Sequence, residues 1–261
     1  MIDRKIAGIL QLAVAGCLFV STSAMAHFGM LIPDQPIVDQ EETASEFLLA
    51  FSHPFEGHAM HLAKPKKFKV LTNAGATDLT DELQQTRYLE QSAWKMAYTF
   101  KRPGVYQFIM EPQAYWEPAE DLSIIHYTKV VVPAFGDDEG WDQPAGLPTE
   151  IVPLTRPFGN YAGNSFTGQV LVQGKPSANA EVEVEFYNQN QRYAAPSDYH
   201  VTQVVKADAN GVFTFTCPLP GWWGFAALTE ADYTIKNPEG EDKGVELGAV
   251  FWTYFTAPQT K

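Results

Sequence analysis

The sequence predicts an all-β protein of two sandwich domains that follow a cleaved signal peptide. Three observations lead to this fold class. Short apolar runs alternate with polar residues, glycine or proline interrupts these runs about every ten residues, and long helical patterns are nearly absent. The 261 residues include enough chain for one large β domain or two smaller ones, and we expect two.

The N-terminus has the pattern of a secretory signal peptide. A short charged start precedes an apolar run over residues 6–20, and the small-x-small motif Ala-Met-Ala ends at Ala26. Cleavage after Ala26 would make His27 the first residue of a soluble periplasmic protein. The motif Val-Ala-Gly-Cys ending at Cys17 resembles a lipobox, so cleavage before Cys17, which would leave a lipid-anchored protein, is the alternative.

The first half contains five bounded runs of β-branched and aromatic residues, which predict strands over Glu46–Ser52, Lys66–Leu71, Lys95–Lys101, Gly104–Met110 and Ser123–Val132. The stretch Asp78–Ala93 is predicted to form a short helix or an ordered loop. Proline and glycine are frequent between Pro133 and Pro157, which indicates a linker. We therefore predict a signal peptide over 1–26, an N-terminal metal-binding sandwich over 27–157 and a C-terminal sandwich over 158–261.

The second half shows the same strand pattern, with strands predicted over Phe166–Val172, Ala180–Tyr187, Val212–Cys217, Trp223–Thr229 and Ala249–Thr256. The turn Gln173–Pro176 lies between the first two, which predicts that they form a hairpin. The segments "GQVLVQGKPSANAEVEVEF" and "ADANGVFTF" resemble the prealbumin-like domain found beside carboxypeptidases and in surface adhesins. That resemblance implies a spacer or a binding platform and assigns this half no chemistry.

The net charge, the cysteine content and the absence of catalytic motifs argue against several classes of function. The formal net charge of −13 argues against nucleic acid, whose phosphates demand lysine and arginine clusters, and is compatible with cations as ligands. Removal of the signal peptide leaves Cys217 as the only cysteine, so no internal disulfide is expected, and its apolar surroundings predict a core residue. The sequence lacks a nucleophile elbow, a phosphate-binding glycine loop and a His-Glu-x-x-His pair, so we do not expect an enzyme.

The histidines are the most informative residues, and the sequence has six of them: His27, His53, His58, His61, His126 and His200. An N-terminal His27 would offer its α-amine and its Nδ1 to one ion as a chelate. A third nitrogen from another histidine would complete a histidine brace, which suits copper(II) or nickel(II). The alternative is that the mature protein begins with an arbitrary residue.

Two of these histidines belong to predicted strands. Period-two alternation puts His126 on the same face as Ile124 and Val130, which is predicted to point inward. A hydrogen-bonded core histidine is the alternative to a metal ligand there. His53 ends a strand and is followed by Pro54, which turns the chain toward a sheet rim, where binding sites are often built.

Four further residues are candidate supports for a metal site. His58 and His61, with Glu56, follow His53 within nine residues and form either a flexible capture patch or a group of solvated side chains. Glu117, in "YWEPAED", is either an oxygen ligand or orienter of an imidazole, or part of an exposed acidic loop. His200 is predicted to be structural or on the surface.

The segments "AHFGMLIP", "HPFEG", "YWEPAED", "IIHYTKVVV", "GLPTEIVPLTRPFG" and "GWWGFAALTE" closely resemble the periplasmic NikK-type component of nickel and cobalt importers. The likeness spans nearly the whole mature chain. It implies an extracytoplasmic protein that binds Ni²⁺, or alternatively Co²⁺ or Cu²⁺, and loads it to membrane components of an energy-coupling-factor type importer. It also implies His27, His53 and His126 as ligands, with Glu56, Glu117, His58 and His61 as candidate supports.

Two other classes of protein stay open. A histidine brace also supports copper handling or copper redox chemistry, and the same nitrogen donors bind copper(II) more tightly than nickel(II). An adhesin-like or sugar-binding sandwich would use the aromatic rings of Trp116, Trp222 and Trp223 instead, although the two tryptophans of "GWWGF" are expected in the core.

Overall fold

The computed structural model describes residues 27–260, and it confirms the all-β fold class. The predicted signal peptide and the lipobox cysteine Cys17 lie outside the described residues. Within residues 27–260, no helix has the length and apolar character that a membrane span requires.

The strands of the described residues are β1 (Phe28–Pro33), β2 (Ala44–His53), β3 (His58–Met60), β4 (Lys67–Thr72), β5 (Gly75–Asp78), β6 (Gln84–Tyr88), β7 (Gln91–Thr99), β8 (Gly104–Glu111), β9 (Tyr115–Glu117), β10 (Leu122–Ala134), β11 (Thr149–Pro153), β12 (Asn160–Tyr161), β13 (Ser165–Val172), β14 (Lys175–Pro176), β15 (Glu181–Phe186), β16 (Gln203–Lys206), β17 (Val212–Thr216), β18 (Gly221–Glu230), β19 (Ile235–Lys236), β20 (Asp242–Lys243) and β21 (Val245–Thr256). One short helix, α1 (Asp198–Val201), and the 3₁₀ turns Thr80–Glu82 and Gln189–Gln191 join them.

Residues 27–260 form three larger sheets and one two-stranded ribbon. The N-terminal sheet has the order β1-β2-β7-β6, with β3 also paired to β2. The central sheet has ten strands in the order β16-β15-β18-β21-β10-β8-β4-β5, with β12 on β21 and β9 on β10. The C-terminal sheet has the order β11-β13-β14, with β17 also paired to β13. Strands β19 and β20 form a separate two-stranded ribbon.

The two faces of the central sheet bury two different cores, because successive side chains of a strand point to opposite faces. On β10, Val130 and Val132 pack in the core shared with the N-terminal sheet, whereas Val131 packs in the core shared with the C-terminal sheet. Strand β21 divides in the same way between Trp252 and Phe251. Full burial of each such side chain contributes about 1.5–3 kcal/mol, so both interfaces are held mainly by apolar packing.

The central sheet takes strands from both sides of residue 157, where the sequence analysis divides the chain. Strand β10 pairs in parallel with β21, which sets His126 beside Gly248. The indole N–H of Trp252 also donates a hydrogen bond of 2.8 Å to the carbonyl oxygen of Gly29. The division into two domains stays a prediction, but strands from both proposed domains form one continuous sheet.

All ten predicted strands are present, with ends that shift by up to a few residues. The predicted hairpin of the second half is wrong: β13 pairs with β11, β14 and β17, whereas β15 pairs with β16 and β18 in a different sheet. The chain turns tightly at Gln173 and Gly174, both of positive φ, makes the two-residue strand β14, and then crosses to the central sheet. The Asp78–Ala93 stretch contains a 3₁₀ turn and β6, and the predicted linker contains β11.

One ion pair lies inside the C-terminal half of the sandwich. Lys129 of β10 and Glu150 of β11 approach to 3.0 Å, and each side chain is 2% exposed. The Glu150 carboxylate also accepts the backbone N–H groups of Ala145 and Gly146. Burial lowers the pKa of Lys129, and the charge of Glu150 opposes that effect. Cys217, predicted as a core residue, is a buried free thiol.

Candidate functional site

His126 points from the central sheet toward the N-terminal sheet, on the face predicted from its alternation with Ile124 and Val130. It is 2% exposed. The N–H of Gly29 donates to His126 Nδ1 at 3.4 Å, and His126 Nε2 lies 3.4 Å from Glu246 Oε1. With Nδ1 as the acceptor, neutral His126 carries its proton on Nε2 and donates it to the carboxylate.

Glycine makes room for this imidazole. A Cβ on Gly248 would lie 2.3 Å from His126 Cδ2 and 2.6 Å from Nε2, distances that non-bonded atoms do not adopt. Because β10 and β21 are parallel neighbours, Gly248 stands directly beside His126 in the sheet. The His126 ring can occupy this position only because residue 248 is a glycine, which has no side chain.

His27 immediately precedes β1, and the ring of Phe51 lies 5.6 Å from the rings of both His27 and His126. It is buried, and its Nε2 hydrogen-bonds to Glu117 Oε2 of β9 at 3.1 Å. Burial lowers the pKa of His27, the charge of His126 lowers it further, and Glu117 opposes both effects. A histidine held neutral by its surroundings is in the protonation state that binds a metal ion.

His53 lies against His27, with ring centroids 4.6 Å apart, and it ends strand β2 as the sequence predicts. It pairs across the β2–β3 hairpin with His58, whose ring centroid is 5.9 Å away. Gly57 has a φ of +69° and closes the turn between them. The structure thus brings three of the predicted ligands into one region, with His58 at its exposed edge.

The second half of the chain holds the turn that positions His53. The carboxylate of Glu185 accepts the N–H of Phe55 at 3.2 Å. Asn188 donates its N–H to the carbonyl oxygen of Pro54 and its side-chain N–H to that of Phe55. Gln191 reaches the carbonyl oxygen of Glu56. This network lies within the half to which the sequence analysis assigns no chemistry.

The sequence analysis missed Glu246, which contacts His126, and two further carboxylates, Glu183 and Glu120, whose pKa values respond to the charge of Glu246. Burial would raise the pKa of Glu246, but the hydrogen bond and charge of His126, together with His27, hold it below its usual value. Burial raises the pKa of Glu183 to about 7, and Glu246 is the next cause. Partial loss of hydration also raises the pKa of Glu120, and the charges of Glu246 and Glu117 raise it further. The available sequence signal was alternation: in "VELGAVFW", Glu246 shares a face with the inward-pointing Trp252.

The remaining predicted residues lie at the edge of this region or outside it. Glu56 and His61 are exposed, and His61 lines the mouth of a cavity beside His126. His200 is exposed in α1 and hydrogen-bonds to Ser197, which fits the predicted surface position. Within residues 27–260, no group of three or more His, Cys, Asp or Glu side chains stands in an arrangement that could hold a metal ion. Coordination by these residues would require their rings to turn toward one another.

The raised pKa of Glu185 leads us to expect that the stability of the protein depends on pH. Burial raises its pKa from 4.5 to about 8, although the Thr202 hydroxyl and the Phe55 N–H both donate to the carboxylate. Because the folded state holds this proton more tightly than the unfolded state does, its stabilising effect is complete below about pH 4.5 and is lost as pH rises toward 8. We expect Glu185→Gln to raise the free energy of unfolding at pH 8, where the wild-type protein is destabilised by the buried carboxylate. This increase should exceed the change that the same substitution causes at pH 5 by several kcal/mol.

Urea denaturation of both proteins at the two pH values measures this difference. The glutamine oxygen can still accept the N–H of Phe55, so the turn is preserved. Glu181→Gln is the matched control, since Glu181 is exposed on the same strand. An equal change for Glu185→Gln at pH 5 and pH 8 would show that Glu185 titrates normally.

The fold and the site define an all-β protein of packed sheets, with histidines and carboxylates between two of its sheets. The chain belongs to the family described as "Domain of unknown function (DUF4198)", whose model matches residues 24–231. No curated protein matches the sequence.

Similar solved structures include tandem sandwich domains at low identity. The D0–D1 domain of Intimin is 15% identical, and the match covers 88% of this chain and 100% of that chain with a TM-score of 0.22. A segment of two fibronectin type-III domains from chicken tenascin is 9% identical, with 86% and 98% covered and a TM-score of 0.21. The titin immunoglobulin tandem A164–A165 is 7% identical, with 90% and 100% covered and a TM-score of 0.20.

Proposed function

We propose that this protein binds a divalent nickel or cobalt ion in the periplasm and delivers it to the membrane components of an importer, without catalysing a reaction. The observation that carries the proposal is that three buried histidines lie near one another although up to 99 residues separate them in the chain. His27 packs against His53, and the ring of Phe51 lies 5.6 Å from the rings of both His27 and His126. Imidazole nitrogen is a common ligand of divalent nickel, copper and zinc.

The carboxylates support a cation as the ligand. Glu117 touches His27 and Glu246 touches His126, so each ring has an anionic neighbour. Such partners orient an imidazole and raise its basicity when its other nitrogen binds a metal ion, and either carboxylate could itself supply an oxygen ligand. Cleavage after Ala26 would add the α-amine of His27 as a further nitrogen donor, and this completes the proposed brace.

The test uses protein exported to the periplasm with no tag at its N-terminus. We expect the native intact mass to correspond to a chain that begins at His27 and to increase by one nickel ion per protein. His126→Ala and His53→Ala are expected to weaken nickel binding strongly in calorimetry, and the exposed His200→Ala serves as the control.

Three outcomes would redirect the proposal. A chain that begins at a lipidated Cys17 would remove the amine from the site. Equal affinities of the His126→Ala and His200→Ala proteins would remove the assigned ligands. Turnover that depends on peroxide in the copper-loaded protein would favour the copper redox alternative, because these donors hold copper(II) more tightly.

A further inference from the structure

A cavity of about 210 Å³ opens beside His126 between the N-terminal and central sheets. Its walls are mostly apolar and include Phe51, Leu62, Met110, Tyr115 and Ile124. The His126 ring forms part of the inner wall, and the exposed side chains of His61 and Gln113 stand at the mouth. None of the described residues that line it is a lysine or an arginine.

The size of the cavity restricts what it can hold. An apolar cavity of about 150 Å³ is sufficient for benzene, whereas pockets for drug-sized molecules measure roughly 300–1,000 Å³. A volume of about 210 Å³ therefore fits one ring that carries a small substituent. The aromatic side chains Phe51, Tyr115 and Trp116 favour a flat ring, against which they can stack or pack edge to face.

The charge around the cavity restricts the ligand further. Glu246 contacts the His126 ring, and Glu117 follows directly after the lining residue Trp116. Lys64 follows the lining residue Ala63, but its ammonium lies 3.8 Å from Asp81 and over the ring of Trp94. Because no wall residue is a lysine or an arginine, an anionic ligand would lose its hydration without a direct opposite charge. A neutral ligand avoids that cost, and the exposed side-chain amide of Gln113 offers it a polar group for one hydrogen bond.

We propose that this cavity is a binding site for a small neutral aromatic molecule, a single ring with one hydrogen-bonding group. The cavity shares the His126 ring with the proposed metal site, but the proposal is carried by the volume and the apolar lining of the cavity and requires no metal ion. It goes beyond the proposed function and does not depend on it.

The experiment titrates phenol, as the probe, into metal-free protein in the presence of a chelator, and measures binding by calorimetry. We expect saturable binding of one phenol per protein with a dissociation constant in the submillimolar to millimolar range, which is typical of very small ligands. Benzoate, of similar size but negatively charged, is expected to bind at least about tenfold more weakly, because its burial lacks an opposite charge.

Two variants locate the binding. Ala63→Phe and Ala114→Phe each place a ring in the cavity from a half-buried wall position, and we expect each to abolish the phenol signal. Ala76→Phe adds the same ring at an exposed position on β5 and should leave binding unchanged. Thermal unfolding with and without phenol provides a second measurement on each variant that folds.

Each outcome decides the proposal. Absence of saturable phenol binding, retained binding in both filled variants, or benzoate that binds as tightly as phenol would overturn it. Because the titration excludes metal ions, a failure of nickel binding would leave the phenol result intact, and a failure of phenol binding would not bear on nickel.

Discussion

Replacement of Gly248 with alanine is expected to weaken nickel binding roughly 10–100-fold, the range measured when a group that positions a metal ligand is lost. The new Cβ would lie 2.3 Å from His126 Cδ2, so the ring has to move away from its place between Gly29 and Glu246. The methyl group adds no charge and removes no donor atom. A loss of affinity would therefore report the position of the ring alone.

Gly244→Ala is the control for this prediction. Gly244 immediately precedes the same strand, and a Cβ there meets nothing within 4 Å. Nickel calorimetry on both variants makes the comparison, with urea denaturation to measure the destabilisation of about 1–3 kcal/mol that overpacking causes at Gly248. If Gly248→Ala binds nickel as tightly as Gly244→Ala does, nickel binding does not depend on the ring position of His126 that Gly248 permits, and this prediction is wrong.

Truncation of Glu150 to alanine should destabilise the protein by about 3–5 kcal/mol, because it leaves the ammonium of Lys129 buried without its partner. The two groups lie 3.0 Å apart, and each is 2% exposed. The same change would also leave the N–H groups of Ala145 and Gly146 without the carboxylate that accepts them. Urea denaturation measures the loss.

An exposed pair of similar geometry provides the comparison. Lys95 and Glu46 approach to 2.9 Å, but their side chains are 40% and 52% exposed. Glu46→Ala should therefore cost less than about 1 kcal/mol. If burial of the unpaired charge is the cause, Lys129→Met combined with Glu150→Ala should lose less stability than Glu150→Ala alone. Equal losses would assign the effect to the loop around Gly146 instead.

Local patterns were enough to predict ten of the 21 strands of residues 27–260, including the longest ones, and the orientation of His126. Alternation over a few residues determines which side chains share a face, and this property needs no knowledge of the neighbouring strand. The same reasoning predicted that His53 ends a strand, because Pro54 follows it. His126 is buried, as its predicted inward orientation requires, and His53 is also buried, although only its position at the strand end was predicted.

The pairing of distant strands was beyond local patterns. The predicted hairpin of β13 and β15 was wrong because nearness in the chain suggested a pairing that the crossover to another sheet replaces. Glu246 was missed for a related reason: its contact with His126 exists only because β21 pairs with β10. The ligand roles of His27, His53 and His126 stay predictions that the nickel experiments test.

The parallel pair β10–β21 also bears on how the protein folds. His126 and Gly248 are neighbours in the sheet although 122 positions separate them in the chain. The side chain of Trp252 donates a hydrogen bond to Gly29, which lies 223 positions earlier in the chain. Such pairings give a fold a high contact order, since long loops must close before their contacts stabilise anything, and all-β domains of this kind fold in milliseconds to seconds. The contact of His126 with Gly248 therefore cannot form before β21, the final long strand of the described residues, has paired with β10.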